Sequence, residues 1–251
     1  MSNLLHHFLP RVIGIPVLMY HHVQPGVNNK LSISPDKLRE QWQYLAAEGY
    51  RCLSLNEFMD IAAGRRSDYP AKSFLLTFDD GYTDNATHAC QLLKEFNFQA
   101  TFFVIAGILD GSVPVTGDPL GDKMDLNTLK QLDPAVATLG IHGYLHEHFD
   151  SIKLQELKLT IKKSVKAFEA AGLPFSKVIA YPYGERPESI RKSELHALMK
   201  DEGIEAAFRI GNRINKIPVT DAYDINRIDI WGTHSLEDFK IKLKKGKLKP
   251  F

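Results

Sequence analysis

The 251-residue chain is predicted to fold as an α/β protein, a distorted (β/α)7–8 barrel in one domain. Three observations carry that expectation. Short apolar strand-like runs alternate with amphipathic helical patterns from end to end, which points to a mainly parallel sheet covered by helices. The unusual polar residues fall just beyond the ends of those runs, where a parallel barrel gathers its functional groups. No Gly-x-Gly-x-x-Gly or phosphate loop follows any strand, which weakens an open nucleotide-binding sheet.

Ile13 to Tyr20 reads as the first strand. Ser34 then caps a helix with Pro35 in its first turn and Leu38, Trp42 and Leu45 on its buried stripe, ending near Gly49. Arg51 to Leu55 is a short strand, followed by a helix from about Asn56 to Ala63. The strand Ser73 to Phe78 runs through Asp79-Asp80-Gly81 into a helix that Thr83, Asp84 and Asn85 open and that ends near Phe96. Ala100 to Ile105 is the next strand, and Gly107 to Lys123 is a loop long enough to form a lid or rim. A short helix at Leu126 to Leu132 precedes the strand Val136 to Ile141. Leu154, Leu157, Ile161, Val165 and Phe168 step by three and four along an amphipathic helix. Lys177 to Tyr181 is a strand, Glu188 to Lys200 a helix, and Glu205 to Ile210 and Ile225 to Ile230 the last strands, before a closing helix at Ser235 to Lys245. No repeat or linker divides the chain. A single domain over 1–251 is expected, with its core at about 13–240 and a basic helix and tail at 235–251.

Composition excludes several classes. With 44% hydrophobic and 24% charged residues the chain has an ordinary globular balance, and a net charge of +1 gives no bulk attraction to nucleic acid. The basic run Lys240 to Lys249 reads as a solvated tail helix, with peripheral contact to an anionic membrane as a second option. Cys52 and Cys90 form neither a disulfide framework nor a metal pair. His6, His7, Pro10 and Arg11 interrupt Met1 to Gly14, so no apolar leader core is read there, and a cytoplasmic protein is expected.

The chemistry begins with Asp79 and Asp80. Adjacent carboxylates at a strand end repel each other and are costly to hold partly buried without a cation or hydrogen-bond donors. His21 and His22 follow the first strand; His142, His146 and His148 follow the strand ending at Ile141; Tyr183 follows Tyr181; Trp231 and His234 follow the last strand. His142 and His146 stand four apart, near enough to share one metal ion. With a carboxylate from elsewhere they leave coordination positions open for water and substrate. His148 is a possible replacement for either. Tyr82, Tyr144, Tyr183 and Trp231 are candidate sugar-stacking aromatics.

Thr77-Phe78-Asp79-Asp80-Gly81, His142-Gly143-Tyr144-Leu145-His146 and Tyr181-Pro182-Tyr183-Gly184 resemble the first three motifs of the polysaccharide deacetylase, or NodB-homology, family. Pro16-Val17-Leu18-Met19-Tyr20-His21 resembles the start of its subgroup with rearranged motif order, which includes poly-N-acetylglucosamine deacetylases. The resemblance implies a divalent metal, most often zinc, held by Asp80, His142 and His146. It implies Asp79 as general base toward the attacking water and the Tyr183 backbone N–H as oxyanion donor. His21 is the choice for general acid, with His22 and His234 competing. The implied partner is an N-acetylated sugar, lipid-linked, nucleotide-linked or oligomeric, from polysaccharide or lipopolysaccharide biosynthesis. A metal-dependent amidase on a non-sugar substrate and a non-catalytic sugar binder are the alternatives. Two departures stand out: Gly143 replaces the usual Ser or Thr, and Ala180 replaces an Arg, whose charge Arg227 could deliver from the last strand.

Overall fold

The computed structural model describes residues 11–248. Residues 1–10, which carry most of the leader reading, and residues 249–251 of the basic tail lie outside the described residues. In chain order the strands are β1 (Val17–Tyr20), β2 (His22–Val23), β3 (Ser32–Ile33), β4 (Arg51–Cys52), β5 (Ser73–Phe78), β6 (Ala100–Val104), β7 (Ala137–Ile141), β8 (Val178–Ala180), β9 (Ala206–Ile210) and β10 (Ile225–Asp229). The α-helices are α1 (Pro35–Ala47), α2 (Leu55–Ala62), α3 (Cys90–Phe96), α4 (Leu126–Gln131), α5 (Leu154–Ala171), α6 (Lys192–Asp201) and α7 (Leu236–Lys245).

Seven parallel strands close the barrel in the order β1-β5-β6-β7-β8-β9-β10 and back to β1. The distortion sits at β5. Its first residues, Ser73 and Phe74, pair with β4, and from Leu75 onward the same edge pairs with β1. One strand therefore has two successive neighbours on one side.

Side chains alternate across each strand, and this period decides what reaches the barrel interior. Val17, Leu75, Phe103, Val178, Ala180, Phe208 and Ile225 share one cluster with α2, whose Phe58 lies 6.1 Å from Phe208, ring to ring. That cluster fills the barrel's lower end. Residues of the opposite parity, among them Leu18, Tyr20, Leu76, Phe78 and Phe102, pack outward with the helices. Two steps beyond each inward residue come Met19 and His21, Thr77 and Asp79, His142 above Gly140, Ile210, and Arg227 and Asp229.

Several boundaries differ from those expected. The first strand starts at Val17, because Ile15 is taken by an isolated antiparallel bridge to Asn215. The strand at Arg51 stops at Cys52, because Ser54 and Glu57 form a reciprocal capping box that draws Leu55 into α2. The helix after Asp80 opens with a wider π-type turn at Asn85–Ala89. The helix expected from Glu188 begins at Lys192, and the parallel pair β2–β3 was not foreseen.

The closing helix is not a solvated tail. Phe239 and Leu243 are fully buried, and Lys242 turns inward to donate to the carbonyl (2.6 Å) and Oδ1 (2.5 Å) of Asp229. No helix among the described residues is long and apolar enough to cross a membrane.

Candidate active site

At the C-terminal mouth of the barrel a cavity of about 320 Å³ is lined by His21, Asp79, Asp80, His142, His146 and Tyr183, with Trp231 and Asp229 on one wall. Each arrives by its strand. His142 continues the inward parity of β7 and is held by a backbone bond from its N–H to Val104 O (2.9 Å). Asp79 continues β5, its N–H bonded to Tyr20 O (3.0 Å).

Local backbone strain aims three of the groups. Asp80, His146 and Tyr183 have φ of 70°, 61° and 58°, left-handed conformations that L-residues adopt only when their surroundings impose them. At Asp80 this departure from extended geometry turns the second carboxylate toward the two histidines instead of outward.

Asp80 Oδ1 is buried and has no hydrogen-bond partner. It lies 3.3 Å from His142 Nε2 and 3.3 Å from His146 Nε2. His142 Nδ1 is 2.9 Å from Ala180 O, a pure acceptor, so Nδ1 carries a proton and Nε2 is the ring atom that faces Asp80. A buried carboxylate oxygen and two imidazole Nε2 atoms converging on one point form a set that could hold a cation. The ligand atoms fall within 4.8 Å of one another, which fits a divalent ion. Burial opposes ionisation of Asp80, yet His142 and His146 hold its carboxyl well below the usual range. Burial likewise disfavours the charged His142 ring, but Asp79 and Asp80 raise its pKa above the ordinary value.

Asp79 has a different partner. Arg227 Nη1 and Nη2 donate to its two oxygens at 2.5 and 2.7 Å, with the guanidinium fully buried. Burial alone would raise this carboxyl. Arg227 and His142 outweigh it and keep Asp79 below the ordinary carboxylate value. The inward parity of Ile225, Arg227 and Asp229 was the available signal, since an arginine in a buried apolar strand needs an acid. The charge absent at Ala180 thus comes from β10.

His21 and His22 separate by the same period. His21 faces the cavity, and burial lowers its pKa against the pull of Asp80 and Asp79. His22 faces away, its Nδ1 2.6 Å from Asp84 Oδ2 and its ring stacked on Tyr82 at 3.3 Å. His234 is also outside the cavity: its Nδ1 accepts the Trp231 N–H (3.0 Å), and burial and Lys242 lower its pKa to about 4. His148 does not join the triad but stacks on Tyr183, with ring centroids 3.6 Å apart.

Among the aromatic candidates only Tyr183 and Trp231 reach the cavity. Tyr82 is buried beneath His22 and Lys123, and Tyr144 is bound to Asp110 (2.8 Å) and Ser112 (2.7 Å). Trp231 is oriented by its Nε1–H, which donates to Asp229 Oδ2 (2.9 Å), while Lys242 holds the other oxygen of that carboxylate.

The glycine at position 143 has a structural reason. Its φ is +74°, and an added Cβ would lie 3.1 Å from Pro182 and 3.2 Å from Glu147 Oε2. Glu147 does the orienting instead: Oε2 accepts the N–H groups of Tyr144 (3.3 Å) and Leu145 (3.0 Å), and Oε1 accepts from Thr160. Nothing in the spacing pointed to Glu147.

A shielded carboxylate beside an Asp-His-His set that could hold a divalent ion, open on one side, suits a hydrolase in which water is the second substrate. Residues 66–208 match the family profile described as polysaccharide deacetylase, more than half of the chain. The chain belongs to the polysaccharide deacetylase family, and is thereby a carbohydrate N-deacetylase-type hydrolase. YxkH of Bacillus subtilis, which carries the family's name, is 26% identical over 78% of this chain and 70% of its own length. The poly-beta-1,6-N-acetyl-D-glucosamine N-deacetylase of Escherichia coli is 27% identical over 47% of this chain, a match that spans only 18% of that protein. In fold, the chain is similar to IcaB from Ammonifex degensii, with a TM-score of 0.75 at 24% identity, covering 93% of this chain and 98% of that one.

Proposed function

We propose that this chain is a metal-dependent deacetylase that hydrolyses the N-acetyl group of an amino sugar, by an Asp79 base and a His21 acid. The observation that carries the metal is Asp80 Oδ1, buried without a hydrogen-bond partner and facing two imidazole Nε2 atoms. Two histidines and one carboxylate suit zinc among divalent ions. When bound, the ion would acidify the attacking water and polarise the acyl carbonyl.

The protein groups divide the remaining work. Asp79, kept ionised by Arg227, takes the proton from water as its oxygen adds to the acyl carbon. The N–H of Tyr183, a residue of the cavity wall, donates to the oxyanion that forms. As the C–N bond breaks, His21 gives its proton to the departing amine. Its lowered pKa makes that proton easier to give, and leaves a smaller protonated fraction at neutral pH.

The sugar is supported by family membership, by the name of the Escherichia coli relative, and by Trp231 and Tyr183 as stacking surfaces at the mouth. Polysaccharide or lipopolysaccharide biosynthesis is the proposed setting, with the substrate N-acetylated as an oligosaccharide or a lipid- or nucleotide-linked sugar. A cytoplasmic compartment stays part of the proposal, and recovery of the native protein elsewhere would remove it. Purified protein is expected to bind one equivalent of zinc and to release acetate from N-acetylglucosamine oligomers. His142→Ala is expected to lose both. Acetate release that persists after complete metal removal would refute the metal role, and zinc binding without any acetate release would favour a non-catalytic binder.

A further inference from the structure

The ring of His21 makes no hydrogen bond among the described residues, so its aim depends on its backbone. That backbone leaves the barrel at Tyr20 and enters the short pair β2–β3. Beside it lies the segment that follows Asp79 and Asp80. Asn85 Nδ2 donates to the His21 carbonyl (2.8 Å) and to Asp84 Oδ1 (2.8 Å). Asp84 Oδ1 also accepts the Val23 N–H (3.0 Å), and its Oδ2 lies 2.6 Å from His22 Nδ1.

Asn85 is fully buried, and its Oδ1 has no hydrogen-bond partner. A buried amide with one end unpaired is costly for the fold alone. It opens the π-type turn, closed by the Cys90 N–H on the Asn85 carbonyl, and such wider turns recur at functional sites.

Resting on His21 as the general acid, we propose that Asn85, aided by Asp84, is a positioning residue that holds His21 where the leaving amine forms. The stretch 79–85 then carries the base, one metal ligand and the clamp on the acid within seven consecutive residues. Relative placement of the two proton-transfer groups is thereby set by local geometry.

The test uses the leaving group. An amide nitrogen must receive a proton as the C–N bond breaks, whereas 4-nitrophenolate leaves an acetate ester as a stable anion. Loss of acid positioning therefore penalises the amide and spares the ester. Full-length, zinc-loaded protein is assayed on an N-acetylglucosamine oligomer and on 4-nitrophenyl acetate. Asn85→Asp, which keeps the shape and removes the donor, is expected to lower the amide-to-ester ratio of kcat/KM by about tenfold or more with zinc stoichiometry unchanged. Asp84→Ala, at a partly exposed position, supplies the same test should Asn85→Asp fold poorly, and His21→Ala sets the full size of the effect. An unchanged ratio in the Asn85 or Asp84 variant, beside a reduced ratio in His21→Ala, overturns the positioning role alone. No reduction in His21→Ala overturns the acid assignment and the positioning role together. A wild-type protein that cleaves the ester and not the amide refutes the proposed function itself.

Discussion

Asp79→Asn is expected to lower kcat for acetate release by about 10²–10⁴-fold, the span a positioned general base contributes. The substitution keeps shape and removes the charge proposed to take the water's proton. It leaves Asp80, His142 and His146 untouched, so zinc binding should persist. The fold should weaken as well, because Arg227 remains fully buried. An asparagine presents one acceptor and one donor where two guanidinium N–H groups now meet two oxygens at 2.5 and 2.7 Å. A buried cation left with a mismatched partner costs about 3 kcal/mol. Acetate assays and urea unfolding separate these effects: catalytic loss in a fully folded sample supports the base, and unchanged turnover refutes it.

Arg227→Met is expected to cost about 3–5 kcal/mol of stability, as for any buried pair that loses one member. The pH dependence carries the sign. In the wild type, the Asp79 pKa lies below its ordinary value. Its ionisation therefore contributes stability above the unfolded-state pKa, and that contribution is lost as pH falls through the depressed folded value. Without Arg227, burial, already the largest influence on Asp79, is opposed by His142 and His21 alone, and the folded pKa is expected to rise. The stability this group contributes above the unfolded-state pKa then shrinks, and with it the slope in the acid range. The acid limb of the activity profile should move to higher pH for the same reason. The double variant Asp79→Leu with Arg227→Met removes both charges, and should unfold at higher urea than either single variant while remaining inactive. Parallel pH slopes in wild type and Arg227→Met would show that Arg227 does not set the state of Asp79.

The two residues are 148 apart in sequence, on strands that meet only because the barrel closes. A strand-end acid pair can be read locally, but its arginine cannot be assigned until strand order is known. The arginine missing at Ala180 made Arg227 a candidate, and the closed sheet made it the partner. Glu147 and Asn85 were less legible still. Their work is to bind backbone N–H and C=O groups, and such partners leave no mark in side-chain spacing. The helix at 236–245 misled for a similar reason: its lysines look solvated in sequence, yet Lys242 reaches back to the Asp229 carboxylate that orients Trp231.

The sequence by itself determined the alternation of strands and helices, the glycine that turns the chain after Asp80, and the four-residue interval between His142 and His146. These follow from local periodicity and backbone preference, which act within a few residues. Tertiary structure alone decided which of two adjacent histidines faces the cavity, which carboxylate meets the imidazoles and which the guanidinium, and which aromatics reach the mouth. Those outcomes depend on barrel closure and strand register, where a shift of one residue reverses the face every side chain presents.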